Sequence, residues 1–152
     1  MTPTADTRTP RQPPLPPPYA LDGETQVWSR PDYRPIAYSE GETVERRIGE
    51  IVGQTDDLSV LSPQLEQHGT DWPSRYHLGS SRANLLRPFQ DTFKGREVLE
   101  IGAGCGALTR FLGESGARVL ALEGSLRRAA VARARCRGLP DVTVVAEQFE
   151  RF

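Results

Sequence analysis

Residues 98–108 read Val-Leu-Glu-Ile-Gly-Ala-Gly-Cys-Gly-Ala-Leu, and no other stretch constrains the fold as tightly. A short apolar run carries one acid, Glu100, and glycines follow at alternate positions, Gly102, Gly104 and Gly106. Leu108, Phe111 and Leu112 then recur on one face at helical spacing. The order is strand, tight loop, helix, which is where α/β proteins hold a nucleotide-like ligand. Glycine suits such a loop because it adopts positive φ cheaply and lets the backbone approach a ligand closely.

The spacing bears on which ligand. A dinucleotide fingerprint is G-x-G-x-x-G, with the diphosphate on the helix N-terminus. Here the pattern is E-x-G-x-G-x-G, and a carboxylate stands just ahead of the loop. That charge repels a diphosphate and attracts a ligand carrying an ammonium and a sulfonium. A nicotinamide oxidoreductase is disfavoured on the same two grounds.

The string VLEIGAGCG resembles the first motif of class I S-adenosylmethionine-dependent methyltransferases. The likeness continues into residues 119–125, Val-Leu-Ala-Leu-Glu-Gly-Ser, an apolar strand ending in Glu123. Glu123 lies about twenty residues beyond the first glycine, the separation of a βαβ unit whose acid grips a ribose diol. The resemblance gives Glu123 that role, and a carboxylate suits a diol because it accepts two hydrogen bonds at once. It also implies S-adenosylmethionine as cofactor, with Glu100, Gly102, Ala103, Gly104, Gly106 and Gly124 around it. A third strand, residues 142–146, leads to Glu147 and Gln148. In the family an Asp near this point contacts the adenine amino group, and either residue matches it by position. Tyr76 or Arg82 is expected to cover the methionine end. The segment around residues 71–88 is loosely similar to methyltransferase domains found beside bacterial polysaccharide glycosyltransferases. The likeness spans roughly residues 31–152, and only the two glycine- and acid-bearing motifs are specific.

The fold expected is α/β, a Rossmann-like doubly wound parallel sheet running β-α-β-α-β from Glu97, with Ser125 capping the second helix and Gly138 and Pro140 ending it. Ahead of it, residues 27–94 read as a helical cap. Val44, Ile48, Ile51 and Val52 mark one helical face. Ser62 and Pro63 form an N-terminal signal, Gly69 a stop, and Leu85, Phe89 and Phe93 a further stripe that Pro88 must kink or begin. Residues 1–26 hold seven of the prolines and almost nothing apolar, so a disordered or polyproline tail is expected there. The cofactor-binding half is assigned to 95–152.

The chain ends just after the third strand, so the sheet reads as truncated and its first strand as an open edge. The sequence resembles the front half of an enzyme, and a second polypeptide completing the sheet is one partner this invites. No catalytic residue can be named. His77 is the nearest histidine to the motifs and reads as structural, and Cys105 as a small spacer in the loop. Arg127, Arg128, Arg133, Arg135 and Arg137 on the second helix read as a solvated face. Net charge is −1, which offers no footprint for nucleic acid, so none is expected as a partner. Two cysteines lack metal spacing, no metal is expected, and a reducing cytoplasm suits them. No apolar run approaches a membrane span. The function expected is methyl transfer to a sugar or small metabolite; the alternative is an inactive fragment that works as an interaction module.

Overall fold

The computed structural model describes residues 15–36 and 41–152. Most of the expected proline tail, residues 1–14, lies outside the described residues. Two short strands come first, β1 (Ala20–Leu21) and β2 (Trp28–Ser29). Three helices follow: α1 (Glu42–Gln54), α2 (Pro63–Gln67) and α3 (Trp72–Leu78). Then come β3 (Glu97–Ile101), α4 (Ala107–Glu114), β4 (Arg118–Glu123), α5 (Leu126–Arg135) and β5 (Val142–Ala146).

The five strands form one sheet in the order β1-β2-β5-β4-β3. β3, β4 and β5 run parallel, with Leu99 opposite Leu120 and Ala121 opposite Val144. The expected β-α-β-α-β unit is therefore present, and β4 and β5 are apolar runs because helices cover them. Between β4, β5 and α5 the contacts are made by small side chains, Ala121, Ala129, Ala132 and Val144, all fully buried. β3 is an edge strand, as expected. Leu99 and Ile101 on its open face are 51% and 61% exposed.

The other edge departs from expectation. β2 joins β5 in parallel, Trp28 opposite Val145, and β1 turns back antiparallel on β2. Tyr19 already reaches Glu147 with its hydroxyl. Ala20 and Leu21, assigned to a disordered tail, are thus part of the sheet, and residues 22–26 turn the chain from β1 into β2. Two-residue strands carry no periodicity of their own. They form because the β5 edge offers a ladder of backbone partners.

In the cap, α1 covers the expected face, with Ile48 and Val52 fully buried. α2 starts at Pro63 with the Ser62 side chain accepting from Leu65 N, and ends short of Gly69. The stripe at Leu85, Phe89 and Phe93 does not form a helix face. Pro88 instead begins a 3-10 turn over Arg87–Thr92, Leu85 and Phe89 stay exposed, and only Phe93 packs, edge-on to Phe111. Proline at the second position supplies a helical φ but removes the amide needed to continue from the preceding turn.

The arginines expected to form a solvated face are split: Arg127 and Arg137 are exposed, Arg137 lying just past the end of α5. Arg128 and Arg135 are buried. Arg128 Nε donates to Glu45 Oε1 at 2.8 Å, and Arg127 reaches both Glu42 and Glu45. Arg135 donates to the carbonyls of His77 and Leu78, and Arg137 to those of Val52 and Thr55. The cap sits on α5 through these guanidiniums, which satisfy carbonyl groups at the ends of α1 and α3 that have no partner within the helix. Among the described residues no helix is long and apolar enough to cross a membrane.

Candidate cofactor site

The parallel strands deliver Glu100, Glu123 and Ala146 to one end of the sheet, and a cleft of about 420 Å³ opens there. Ligands bind at this carboxyl end in open α/β sheets, and the volume is within the range of small-molecule sites. The wall includes Glu100, Gly102, Ala103, Gly104, Glu123, Gly124, Glu147, Gln148 and Arg82, nine of the ten expected residues.

Gly106 is the exception. It sits at the start of α4 with φ +82°, and a Cβ there would lie 2.8 Å from Ala132 Cα. Its lack of a side chain lets α4 approach α5, so its work is packing behind the cleft. Gly102 and Gly104 also have positive φ, +79° and +57°, but a Cβ at either meets nothing within 4 Å. Those two glycines serve the turn and leave open space over the loop. Ala103 is buried in the sheet core and presents little beyond its backbone.

The loop is tied to β4. Gly102 N and Ala103 N both donate to Leu122 O, and Gly104 N donates to Glu123 Oε2 at 2.7 Å. Glu123 Oε1 accepts from Ser125 N. One buried carboxylate thereby joins the glycine loop to the start of α5. Each of its oxygens has a second lone pair available. Glu100 is half-buried and accepts from the Thr109 hydroxyl at 2.6 Å. Burial pushes its carboxyl above the usual range and the Glu123 charge adds to this. The Thr109 bond and the Arg82 charge pull the other way.

Of the pair at the end of β5, Glu147 turns its carboxylate toward Tyr19, Arg30 and Arg151 and bonds Gln148 N. Gln148 donates its side-chain amide to Arg34 O. Gly124 passes its carbonyl to the Tyr33 hydroxyl at 2.7 Å, and a Cβ on it would strike Ile36. Ile36 lines the cleft and Tyr33 braces Gly124 beside it, and neither was legible in the sequence, because their segment has no periodicity and meets the cleft only through the tertiary fold. Arg128, Phe149 and Glu150 also line it and were likewise missed.

Tyr76 and His77 line the far wall from α3. His77 is buried with Tyr76 edge-on against it. Cys105 packs into the apolar cluster of Ile48, Val52 and Leu78, and burial pushes its thiol up to about 12. A thiol held neutral in this way is a spacer and not a nucleophile. Charged groups on the wall are four carboxylates, Glu100, Glu123, Glu147 and Glu150, against Arg82 and Arg128. An acid-rich, glycine-floored cleft of this size suits a cationic nucleoside, and the donor set fits S-adenosylmethionine better than a diphosphate.

No model of a protein family matches the chain. It is similar to ribosomal RNA small subunit methyltransferase A of Streptococcus sanguinis (strain SK36), 38% identical over 93 residues, which cover 59% of this chain and 32% of that protein. The protein of the same name from Streptococcus pneumoniae (strain ATCC 700669 / Spain 23F-1) is 36% identical over 95 residues, 60% of this chain and 33% of that one. The chain spans about a third of the length of the curated relatives it matches. Neither is named for polysaccharide chemistry. Both relatives are named as methyltransferases, and the fold of this chain is a mixed α/β sheet of Rossmann-like type.

Proposed function

We propose that this chain forms the S-adenosylmethionine-binding part of a methyltransferase whose acceptor is RNA. The observation that carries the cofactor half is Glu123. A carboxylate at the end of β4 is pinned by Gly104 N and Ser125 N on the cleft wall, so its orientation is set before a ligand arrives. Preorganisation of this kind spares the ligand the cost of ordering its own partner.

When bound, S-adenosylmethionine supplies a methyl group on a positively charged sulfur. The chain's residues bind and orient it. Glu123 accepts from the ribose hydroxyls, and the open φ-positive turn at Gly102 and Gly104 lets the backbone come close. Glu100 favours the cationic end, and Arg82 on the same wall offers its charge to the carboxylate of the methionine moiety. The engagement of Glu147 with Tyr19 and Arg30 supports Gln148 as the residue for the adenine edge, through its amide oxygen. Residues 27–94 then serve as a cap and 95–152 as the cofactor-binding unit. The transfer depends on proximity and alignment, and no general base is assigned.

The acceptor assignment rests on the relatives, which are named as ribosomal RNA methyltransferases. It replaces the sugar or small metabolite expected from sequence, and also the expectation that no nucleic acid takes part. Net charge averages over the whole chain and is silent about local patches. The exposed β3 edge favours a second reading, an interaction module that binds cofactor without turnover. Methylation of ribosomal RNA with labelled cofactor separates the two.

Titration calorimetry with S-adenosylmethionine tests the cofactor site. Glu123→Ala is expected to weaken binding by about 1–3 kcal/mol, the loss of charge-assisted hydrogen bonds. Unchanged affinity in a variant that still melts cooperatively removes Glu123 from the role.

A further inference from the structure

The cofactor reading uses Arg82 but leaves unexplained what stands beside it on α3. Trp72 opens that helix and is 65% exposed, an unusual cost for so large an apolar ring. It stacks on Tyr76 one turn later, centroids 5.0 Å apart and planes 19° from parallel. The Arg82 guanidinium lies 3.9 Å from the centre of the Tyr76 ring. Tyr76 and Arg82 line the cleft, whereas Trp72 stands outside it. The three groups thus form a stack that runs from solvent to the cleft wall.

A packing role accounts for Tyr76 but not for Trp72, because a ring placed for packing would be covered. The local charge is equally one-sided. From Trp72 to Gln90, between Asp71 and Asp91, the chain carries Arg75, Arg82 and Arg87 and no Asp or Glu. Arg75 donates to Gly69 O, and Arg87 to Asn84 and Ser80 O. Among the described residues none of these three arginines is within ion-pair distance of a carboxylate. Stacked aromatic and guanidinium planes beside arginines that have no carboxylate within ion-pair distance are what an unpaired nucleic-acid strand requires.

We propose that Trp72, backed by Tyr76 and Arg82, is a stacking platform for an unpaired base of the acceptor RNA at the mouth of the cofactor cleft. Arg75 and Arg87 supply charge for the neighbouring phosphates. The proposal rests on the RNA-methyltransferase reading above and assigns it a specific acceptor surface.

The test is fluorescence anisotropy of the full chain with a labelled, unstructured ribo-oligonucleotide of about ten nucleotides, a length within the usual single-strand site size. S-adenosylmethionine calorimetry runs on the same samples. Trp72→Ala is expected to lower RNA affinity about tenfold or more, Trp72→Phe to keep it within a few-fold, and both to leave cofactor affinity unchanged. Duplex RNA of the same sequence should bind more weakly than the single strand. As a check independent of truncating the ring, Trp28→Phe leaves Trp72 as the sole indole, and RNA should quench its emission saturably. Equal RNA affinity in wild type and Trp72→Ala overturns the platform, as does no quenching, or no RNA binding by a chain that takes the cofactor. Trp72-dependent RNA binding by a chain that ignores S-adenosylmethionine supports the platform and sinks the cofactor reading instead.

Discussion

Between Glu97 and Ala146 neighbouring elements meet through alanines, valines and two close glycines, Gly106 and Gly113, with Phe111 and Leu112 beside them. The cap reaches the same α5 helix through Glu45, Arg128, Arg135 and Arg137. In the first region shape does the work. Ala129 and Ala132 let α5 lie flat on β4 and β5, and Gly106 lets α4 come within van der Waals contact of Ala132. In the second, a smaller apolar cluster around Ile48, Val52, Leu58, Leu65, Leu78, Cys105 and Val131 is joined by guanidiniums, of which Arg128 and Arg135 are buried. The contrast shows how each interface should fail. A packed interface degrades by the volume of what is changed, while a buried ion pair is lost abruptly when one partner goes.

The sharpest way to break the comparison is Glu45→Ala, which strips Arg128 of the carboxylate 2.8 Å from its Nε in a buried setting. Urea denaturation should report about 3–5 kcal/mol of lost stability, the cost of removing one partner of a buried ion pair. Replacing both residues by methionine should restore most of it, since two matched apolar side chains need no partner. Failure of the double variant to recover would mean that the pair does more than dock the cap.

The glycine loop gives the next largest effect, and it divides the motif. Gly106→Ala combines a left-handed backbone with a 2.8 Å clash against Ala132, for about 2–4 kcal/mol by the same measurement. Gly102→Ala meets open space and only the backbone strain, about 1–2 kcal/mol. Cofactor affinity should rank the other way, Gly102→Ala losing more than Gly106→Ala once each is compared at equal folded fraction. Equal losses at both positions would erase the division between packing and binding glycines.

Glu100 should give the smallest effect, and one with a sign. Burial holds its folded-state pKa above the ordinary value. The group therefore contributes to folding only below the unfolded carboxylate pKa, and that contribution is lost as pH rises through the folded value. Glu100→Gln keeps the acceptor for Thr109 and should raise the Tm at neutral pH. The gain should vanish in acid, below the ordinary glutamate range. A variant less stable than wild type at neutral pH would show that the charge itself is wanted in the unliganded fold.

The strands at 98, 119 and 142, the loop between them, and Glu100 and Glu123 were readable because they depend on local rules. Alternation, glycine φ and the reach of one βαβ unit act within about twenty residues. The arginines of α5 were misread for the opposite reason. A guanidinium on an amphipathic helix has the same sequence pattern whether water or a distant carbonyl receives its protons. Arg137 meets Val52 across 85 positions of chain.

The sequence by itself determined a Rossmann-like unit with an acid-bearing, glycine-floored turn, since strand, turn and helix each follow from neighbouring residues. Only the tertiary structure decided that Ile36 joins the wall, that Gly106 sits behind it against Ala132, and that Trp72 stacks on Tyr76. Those outcomes depend on which surfaces meet after folding. Contacts at long separation leave no periodic trace, because their energy is set by complementary shape and charge on segments that share no local register.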